Sequence, residues 1–580
     1  MRPQRFGNLI LIGMFVAGSY LYFDLHYRYW YHFMEQFGLF LYTNSYFIEF
    51  YREPGGMNEY LNETLMQFFY LPHVASVCIA SLLGLIAVSA HLFFRRCGYL
   101  LSSLWSILPC FLFWIYPPET VAIPLSMLTG ILAAVGYTYS PRNNWRYVYA
   151  LGILVTSYLL ATPAHFLAAI LLSFYELKFA SKSKYMAVTI YIGGSMLLPL
   201  IAMRTLFVVP MEEAFFSKYL YHPEYPQPGS FRLFWLAFPL ITTLSLLLQK
   251  WQPKVGHKLV ISFVILSGGI IAGIVYGGNA LEQTYQYDYY ARNSQWQKIV
   301  DHAEQHAVND QNALIYVNLA LSHTNQLANK QFDFRQAGVD GLIPKDPVTR
   351  VDLITASEVA WQIGHINSSQ RYAFVGVLSS ERRVQPRLMK RLVETYLVNE
   401  EYKAAEKYIT ILEASLFYRD WAKEKRQYLN RETADKTPWI VQKRAVNVTT
   451  DNPFDPAKAL PNALAYLLDD HPGNKAAIEY TMAYVLLYKD LGAFMQYMQP
   501  AKGFYKTLPV HFQEAICLFY AAVQPDPEAF KTFNIDKAVY DRFISFCNAA
   551  GNSPELLKKQ FGNTYYYYAQ FENMPNQEQL

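Results

Sequence analysis

Charged residues are scarce in this sequence: only 16% are Asp, Glu, Lys or Arg, against roughly a quarter in an ordinary soluble domain. That scarcity argues against a cytosolic enzyme. The net charge of +4 is too small to indicate a nucleic-acid partner. Five cysteines in 580 residues exclude a disulfide framework. Cys-x-x-Cys and His-Glu-x-x-His motifs are absent, so the sequence predicts no metal site and identifies no cofactor.

The charges that are present lie mostly in the second half of the chain. Residues 1–280 hold only 17 of the 49 basic and 11 of the 45 acidic residues, whereas 281–580 have the charge density of a soluble domain. The sequence therefore predicts two domains, a transmembrane domain over 1–280 and a polar domain over 281–580.

Long apolar runs recur throughout residues 1–280. A run of about 20 apolar residues crosses a ~30 Å hydrocarbon core as a helix. Nine runs approach or reach that length: Asn8–Phe23, Pro72–Phe94, Tyr99–Tyr116, Val121–Tyr137, Tyr147–Leu160, Ala164–Leu177, Tyr185–Ile201, Phe231–Leu248 and Leu259–Val275. The predicted fold is all-α, a polytopic transmembrane helical bundle of about nine spans followed by an α-solenoid-like helical domain. A re-entrant pair is an alternative for the two runs that meet at Thr162-Pro163.

Basic residues set the predicted orientation, because short loops rich in Lys and Arg stay in the cytoplasm. With the N-terminus inside, the inner segments carry twelve basic residues and only one acid, Glu176. We therefore expect a protein of the bacterial inner membrane with residues 281–580 in the periplasm. No small-x-small cleavage site follows the first run, so we expect that run to be a retained anchor and not a signal peptide.

The second half has helical periodicity that repeats loosely. Small and aromatic residues alternate at helical spacing around turns at Asn293-Ser294-Gln295, Asn399-Glu400-Glu401 and Lys489-Asp490-Leu491-Gly492. These stretches resemble degenerate tetratricopeptide repeats. That resemblance implies stacked helix pairs, which either bind a protein partner on a concave face or form an inert helical cap. Cys517 and Cys547 lie in this half and are either disulfide-bonded or free thiols.

The predicted outer loop 24–70 combines acids with many aromatic residues, a composition typical of helices at a membrane interface. Pro54-Gly55-Gly56 divides it into two helical arms. Converging carboxylates at an apolar surface are suited to general-base chemistry, and arginines are suited to phosphate binding. The candidate catalytic residues are Asp24, Glu35, Glu49, Glu53 and Glu59, and the candidate substrate-binding residues are Arg28, Arg52 and Arg204. The alternative is that these are ordinary solvated charges.

This layout resembles the membrane-embedded glycosyltransferases of the GT-C superfamily, with Asp24 matching by position the acid that follows their first span. The second acid common in that family is missing, because Leu25 follows Asp24. A second resemblance is to an uncharacterised family of polytopic membrane proteins from Bacteroides-type bacteria. It rests on Glu35-Gln36-Phe37, the Pro54-Gly55-Gly56 turn, and Tyr60-Leu61 leading to Gln67-Phe68-Phe69.

The GT-C resemblance implies a transferase that moves a sugar from a polyprenyl-phosphate carrier during envelope glycan assembly. Its expected partners are membrane lipids and the carrier-linked sugar. The alternative function is a non-enzymatic, membrane-anchored scaffold that binds envelope partners through its helical-repeat domain.

Overall fold

The fold of the chain was obtained as a computed structural model. It describes residues 2–99, 102–140, 143–179, 183–216, 236–237, 239–242, 244, 255–278, 281–380, 384–448, 459–522, 532–549, 551 and 553–572. Across these residues the regular secondary structure is helical and there is no β-strand, which confirms the all-α fold.

The chain forms two compact units. The first comprises Met1–Glu282 together with Ala414–Phe417, and the second comprises Gln283–Glu413 and Tyr418–Leu580. The first boundary therefore falls two residues beyond the one expected from the change in charge density.

Helices in the first unit follow the apolar runs of the sequence. Its α-helices of ten or more residues are Arg2–His26, Gly56–Met66, Val74–Arg96, Ala122–Tyr137, Trp145–Leu160, Ala164–Phe179, Lys184–Thr205 and Val255–Tyr276. Shorter ones are Arg28–Met34, Asn44–Tyr51, Ser102–Ile107, Leu112–Ile115 and Met211–Phe216. The predicted run Phe231–Leu248 lies mostly outside the described residues.

Three of these helical segments are long and apolar enough to cross a membrane: Gly7–His26, Val74–Arg96 and Lys184–Thr205. Three shorter apolar segments are Ser102–Ile115, Ala122–Tyr137 and Phe263–Tyr276. The run expected over Tyr99–Tyr116 is interrupted by a 3₁₀ turn at Leu108–Phe111, where Pro109 lacks the N–H that a continuous α-helix needs. The count of nine spans stays a prediction.

Aromatic packing joins the two ends of the first unit. The rings of Tyr22 and Trp114 are stacked with centroids 4.5 Å apart. The Tyr22 hydroxyl lies 2.7 Å from the Trp114 carbonyl oxygen and 2.9 Å from that of Gly273, and it donates its hydrogen to them. The first apolar helix is thereby fixed to the last one described.

The second unit is built from short helices joined by tight turns. Its helices are Glu282–Arg292 (whose first residue belongs to the first unit), Trp296–Gln305, Gln311–His323, Leu327–Lys330, Arg350–Ile363, Ile366–Leu378, Pro386–Val398, Tyr402–Glu413, Arg419–Arg426, Arg431–Ala434, Pro438–Arg444, Ala459–Asp470, Lys475–Leu487, Leu491–Lys502, Val510–Ala522, Lys537–Asn548, Pro554–Phe561 and Tyr565–Phe571. Cys517 is buried and Cys547 is exposed, and both are free thiols.

The three turns singled out in the sequence share an unusual backbone conformation. Ser294, Glu400 and Lys489 have φ values of 54°, 62° and 62°, in the left-handed region that favours glycine. A left-handed residue reverses the chain after a helix and lets the next helix pack back on it. Helix pairs therefore occur where the sequence places them, whereas the tetratricopeptide identity stays a prediction.

Candidate functional site

Asp24 lies near the end of the first helix, with only 9% of its side chain exposed. Arg28, one helical turn further on, donates from Nη2 to Asp24 Oδ2 at 2.5 Å. His73 donates from Nδ1 to the other oxygen, Oδ1, at 2.9 Å. Both carboxylate oxygens of Asp24 thus accept a hydrogen bond from a basic side chain.

The backbone explains why His73 reaches this position. It immediately precedes helix Val74–Arg96 and has a φ of 65°, which is uncommon for a residue with a side chain. Consecutive antiparallel helices bring the end of the first helix and the start of the next long helix to the same side of a bundle. The left-handed turn then directs the imidazole at Asp24, and strained backbone of this kind clusters at functional sites.

Glu282 supplies a second carboxylate near Arg28. Its Oε1 accepts a hydrogen bond from the Tyr29 N–H at 2.7 Å, and its Oε2 accepts one from the Trp30 N–H at 3.1 Å. Burial raises the pKa of Glu282 to about 7, although these two N–H groups and the charge of Arg28 act in the opposite direction. Glu282 is therefore able to gain or lose a proton near neutral pH.

We define Asp24, Arg28, His73 and Glu282 as the Asp24 cluster. The side chains of Arg28 and His73 are 33% and 49% exposed, so solvent reaches both. Arg28 Nε is buried and has no hydrogen-bond partner among the residues that the structure describes. Arg28, together with His73 when its imidazole is protonated, can bind an anionic group, while a carboxyl with a pKa near 7 can exchange a proton beside it.

The other predicted site residues occupy different environments. Glu35 and Glu59 are buried, Glu53 is partly buried and Glu49 is exposed. Arg52 and Arg204 are also exposed, at the ends of helices Asn44–Tyr51 and Lys184–Thr205. Of the predicted set, the structure joins Asp24 to Arg28.

The Pro54-Gly55-Gly56 turn packs so closely that it has no room for larger side chains. Gly55 has a φ of 69°, and a Cβ there would lie 2.3 Å from the backbone nitrogen of Thr162. A Cβ on Gly56 would lie 1.8 Å from the carbonyl oxygen of Phe50. The glycines thus allow helices Asn44–Tyr51 and Gly56–Met66 to meet and allow the turn to contact Thr162.

Sequence reasoning missed His73 and Glu282. A signal existed for both, because His73 immediately precedes a long apolar helix and Glu282 is the first acid after the last one. Each is therefore a polar residue at the edge of an apolar segment, as Asp24 is. Among the described residues, no group of three or more His, Cys, Asp or Glu side chains is arranged to hold a metal ion.

A comparison with protein families matches residues 4–572 to a family of unknown function, DUF6057, and the chain belongs to that family. Comparisons with curated proteins and with solved structures gave no match.

Proposed function

We propose that this DUF6057 protein is an integral protein of the bacterial inner membrane and a GT-C-like transferase. In this proposal it moves a sugar from a polyprenyl-phosphate carrier to an acceptor on the periplasmic side during envelope glycan assembly. The observation that carries the proposal is the Asp24 cluster, in which an arginine, a histidine and a carboxyl with a pKa near 7 lie at the end of the first apolar helix.

The membrane assignment rests on length, composition and charge. Three helices have the length and apolar character of membrane spans. The basic residues of the first 280 positions alternate between successive loops in the manner of the positive-inside rule, which favours a cytoplasmic N-terminus.

In the proposed reaction, Arg28 and His73 bind the carrier phosphate while Asp24 keeps both side chains in position. The acceptor hydroxyl oxygen forms a bond to the anomeric carbon as the bond from that carbon to the phosphate oxygen breaks. The phosphate leaves with the bonding electrons, and Arg28, together with His73 in its protonated form, stabilises the phosphate charge. The hydroxyl proton passes to Glu282, since the Asp24 carboxylate accepts hydrogen bonds from both Arg28 and His73 and is the weaker base.

The proposal is tested by complementation of a strain that lacks the protein, with the envelope glycan profile as readout and membrane levels checked by immunoblot. Glu282→Gln removes the proposed base, and we expect it to reduce a glycan product by about 100-fold or more. Asp24→Asn and His73→Gln should reduce the same product because they disorganise or remove the phosphate site. Glu49→Gln and Arg52→Gln change exposed loop charges and serve as matched controls.

The scaffold function is the alternative outcome of this experiment. It is favoured by the paired helices of the second unit, since stacked helix pairs present extended surfaces to partners. If Glu282→Gln, Asp24→Asn and His73→Gln all give the wild-type glycan profile at normal protein levels, the transferase proposal is wrong and the scaffold replaces it.

A further inference from the structure

Four basic side chains of the second unit lie against the faces of three tryptophans. Arg391 and Lys443 lie 4.4 Å and 4.7 Å from the ring centroid of Trp361. The ammonium of Lys390 is 4.8 Å from the ring centroid of Trp421, and that of Lys425 is 4.9 Å from Trp439 and 5.5 Å from Trp421. We call these seven residues the Trp–Lys cluster. Cation–π attraction holds the four positive charges close to one another despite their mutual repulsion.

Helical spacing accounts for the assembly. In helix Pro386–Val398, Arg387 comes three and four residues before Lys390 and Arg391, and Glu394 comes four and three residues after them, so the four share a face. Two short helices each add a tryptophan and a lysine four residues apart: Trp421 and Lys425 on Arg419–Arg426, and Trp439 and Lys443 on Pro438–Arg444. Trp361 comes from helix Arg350–Ile363.

The acids in this region are already engaged with basic side chains, Glu424 with Lys425 at 3.0 Å, Glu394 with Arg391 at 3.6 Å, and Glu358 and Asp288 with arginines. Glu358 Oε2 lies 2.8 Å from Arg391 Nη2 and 3.4 Å from Arg387 Nη2. Asp288 is paired with Arg387 and accepts a hydrogen bond from the Tyr316 hydroxyl at 2.6 Å. Both acids are buried, so each carboxylate charge is balanced locally.

Two of the lysines have no such counter-ion. Among the described residues, no carboxylate lies within ion-pair distance of Lys390 or Lys443, and the Lys443 ammonium donates to the Trp361 carbonyl oxygen at 2.5 Å. Burial lowers the pKa of each lysine to about 8, with repulsion from neighbouring cations adding to the effect. Glu394 opposes the shift of both lysines and Glu358 that of Lys443, but neither lysine is in an ion pair with a described residue.

Two buried donors also lack acceptors. Arg391 Nη1 and the Trp439 indole Nε1 are shielded from solvent and have no hydrogen-bond partner within the described parts of the chain. A buried donor without an acceptor is costly, and native proteins seldom leave one. The two lysines outside ion pairs and the two unpaired donors belong to one cluster, and an anion with several oxygen atoms offers acceptors to both kinds of group.

We propose that the Trp–Lys cluster is a binding site for a dianionic phosphate group, either free inorganic phosphate or the phosphate of a monoester. Two negative charges match Lys390 and Lys443, and the phosphate oxygens accept hydrogen bonds from Arg391 Nη1 and the Trp439 indole. This site is separate from the Asp24 cluster and does not depend on the proposed transferase activity.

The experiment measures phosphate binding by the full chain, purified in detergent, using calorimetry and the thermal melting temperature. Inorganic phosphate and glucose 1-phosphate are the two probes, with glucose and sodium chloride at matched ionic strength as controls. We expect a phosphate probe to bind and to raise the melting temperature. Lys390→Met and Lys443→Met should each weaken binding by at least about tenfold, because each removes a charge-assisted contact.

Lys436→Met is the matched control, since Lys436 lies in the same unit with 71% of its side chain exposed. Lys390→Gln provides a second substitution if Lys390→Met does not fold. The proposal is overturned if neither phosphate probe acts more strongly than sodium chloride, or if Lys390→Met and Lys443→Met bind like the wild type.

Preference between the two probes identifies the source of the phosphate. Equal affinity for both supports a site that recognises the phosphate group alone. Tighter binding of glucose 1-phosphate supports a site for phosphate esters, in which the tryptophan rings also contact the sugar.

Discussion

At position 390, a lysine ammonium is buried beside other cations. Burial lowers the pKa of Lys390 to about 8, Glu394 opposes the shift, and Arg292, Lys425 and Arg387 add to it. The folded pKa is below the unfolded value of 10.5, so the unfolded chain binds more protons between pH 8 and 10.5. The unfavourable contribution of Lys390 to stability is therefore complete below pH 8 and is relieved as the pH rises to 10.5.

Lys390→Met should consequently raise the melting temperature of the phosphate-free protein at pH 7. The gain corresponds to a free energy on the order of 2–3 kcal/mol and should shrink towards zero at pH 10. Thermal melts at the two pH values measure it, with Lys436→Met as control. If Lys390→Met instead lowers the melting temperature equally at both pH values, Lys390 stabilises the fold by packing and its charge does not destabilise it.

A contact between site residues could be predicted from the sequence where both residues lie within one turn of the same helix end. Asp24 and Arg28 are four residues apart at the end of an apolar run, and their ion pair follows from that spacing. Glu282 and His73 are different, because their roles depend on contacts with residues 253 and 49 positions away. Such contacts have no periodic signature in the sequence.

The Pro54-Gly55-Gly56 turn joins helices Asn44–Tyr51 and Gly56–Met66, and the folding of segment 24–70 depends on it. Gly56→Ala would place a methyl group 1.8 Å from the Phe50 carbonyl oxygen, so the turn must open. We expect a destabilisation of several kcal/mol and a lower protein level in the membrane.

Gly152→Ala is the matched control for Gly56→Ala, because a Cβ at Gly152 meets nothing within 4 Å. Thermal melting and immunoblotting compare the two variants. Equal stability of both would mean that the turn is not tightly packed.

The helices themselves were largely predictable. In the first unit, apolar runs predicted the positions of helices, because a long apolar segment that is removed from water forms a helix. The turns at Ser294, Glu400 and Lys489 were also located correctly from the periodicity of the flanking residues, although the first two lack a glycine. The Trp–Lys cluster was not predicted from the sequence, because Trp361 and Lys443 meet only after several helices have packed.

Over the whole molecule, charge asymmetry predicts that the second unit faces the periplasm. Cys547 tests this orientation, because it is exposed whereas Cys97, Cys110 and Cys517 are buried and Cys78 is partly buried within helix Val74–Arg96. A membrane-impermeant maleimide added to intact spheroplasts should label the wild type, and Cys547→Ser should remove that label. Labelling of Cys547 only after lysis would reverse the predicted topology.

The bonds that join the first helix to the end of the first unit also impose an order on biosynthesis. Tyr29 and Glu282 are 253 residues apart, and Tyr22 and Gly273 are 251 apart. At a translation rate of about 5–20 residues per second, the first helix leaves the ribosome roughly 13–50 seconds before its partners. The Asp24 cluster therefore remains incomplete until the last apolar helix has been made, and a chain that is cut short during synthesis never acquires the full site.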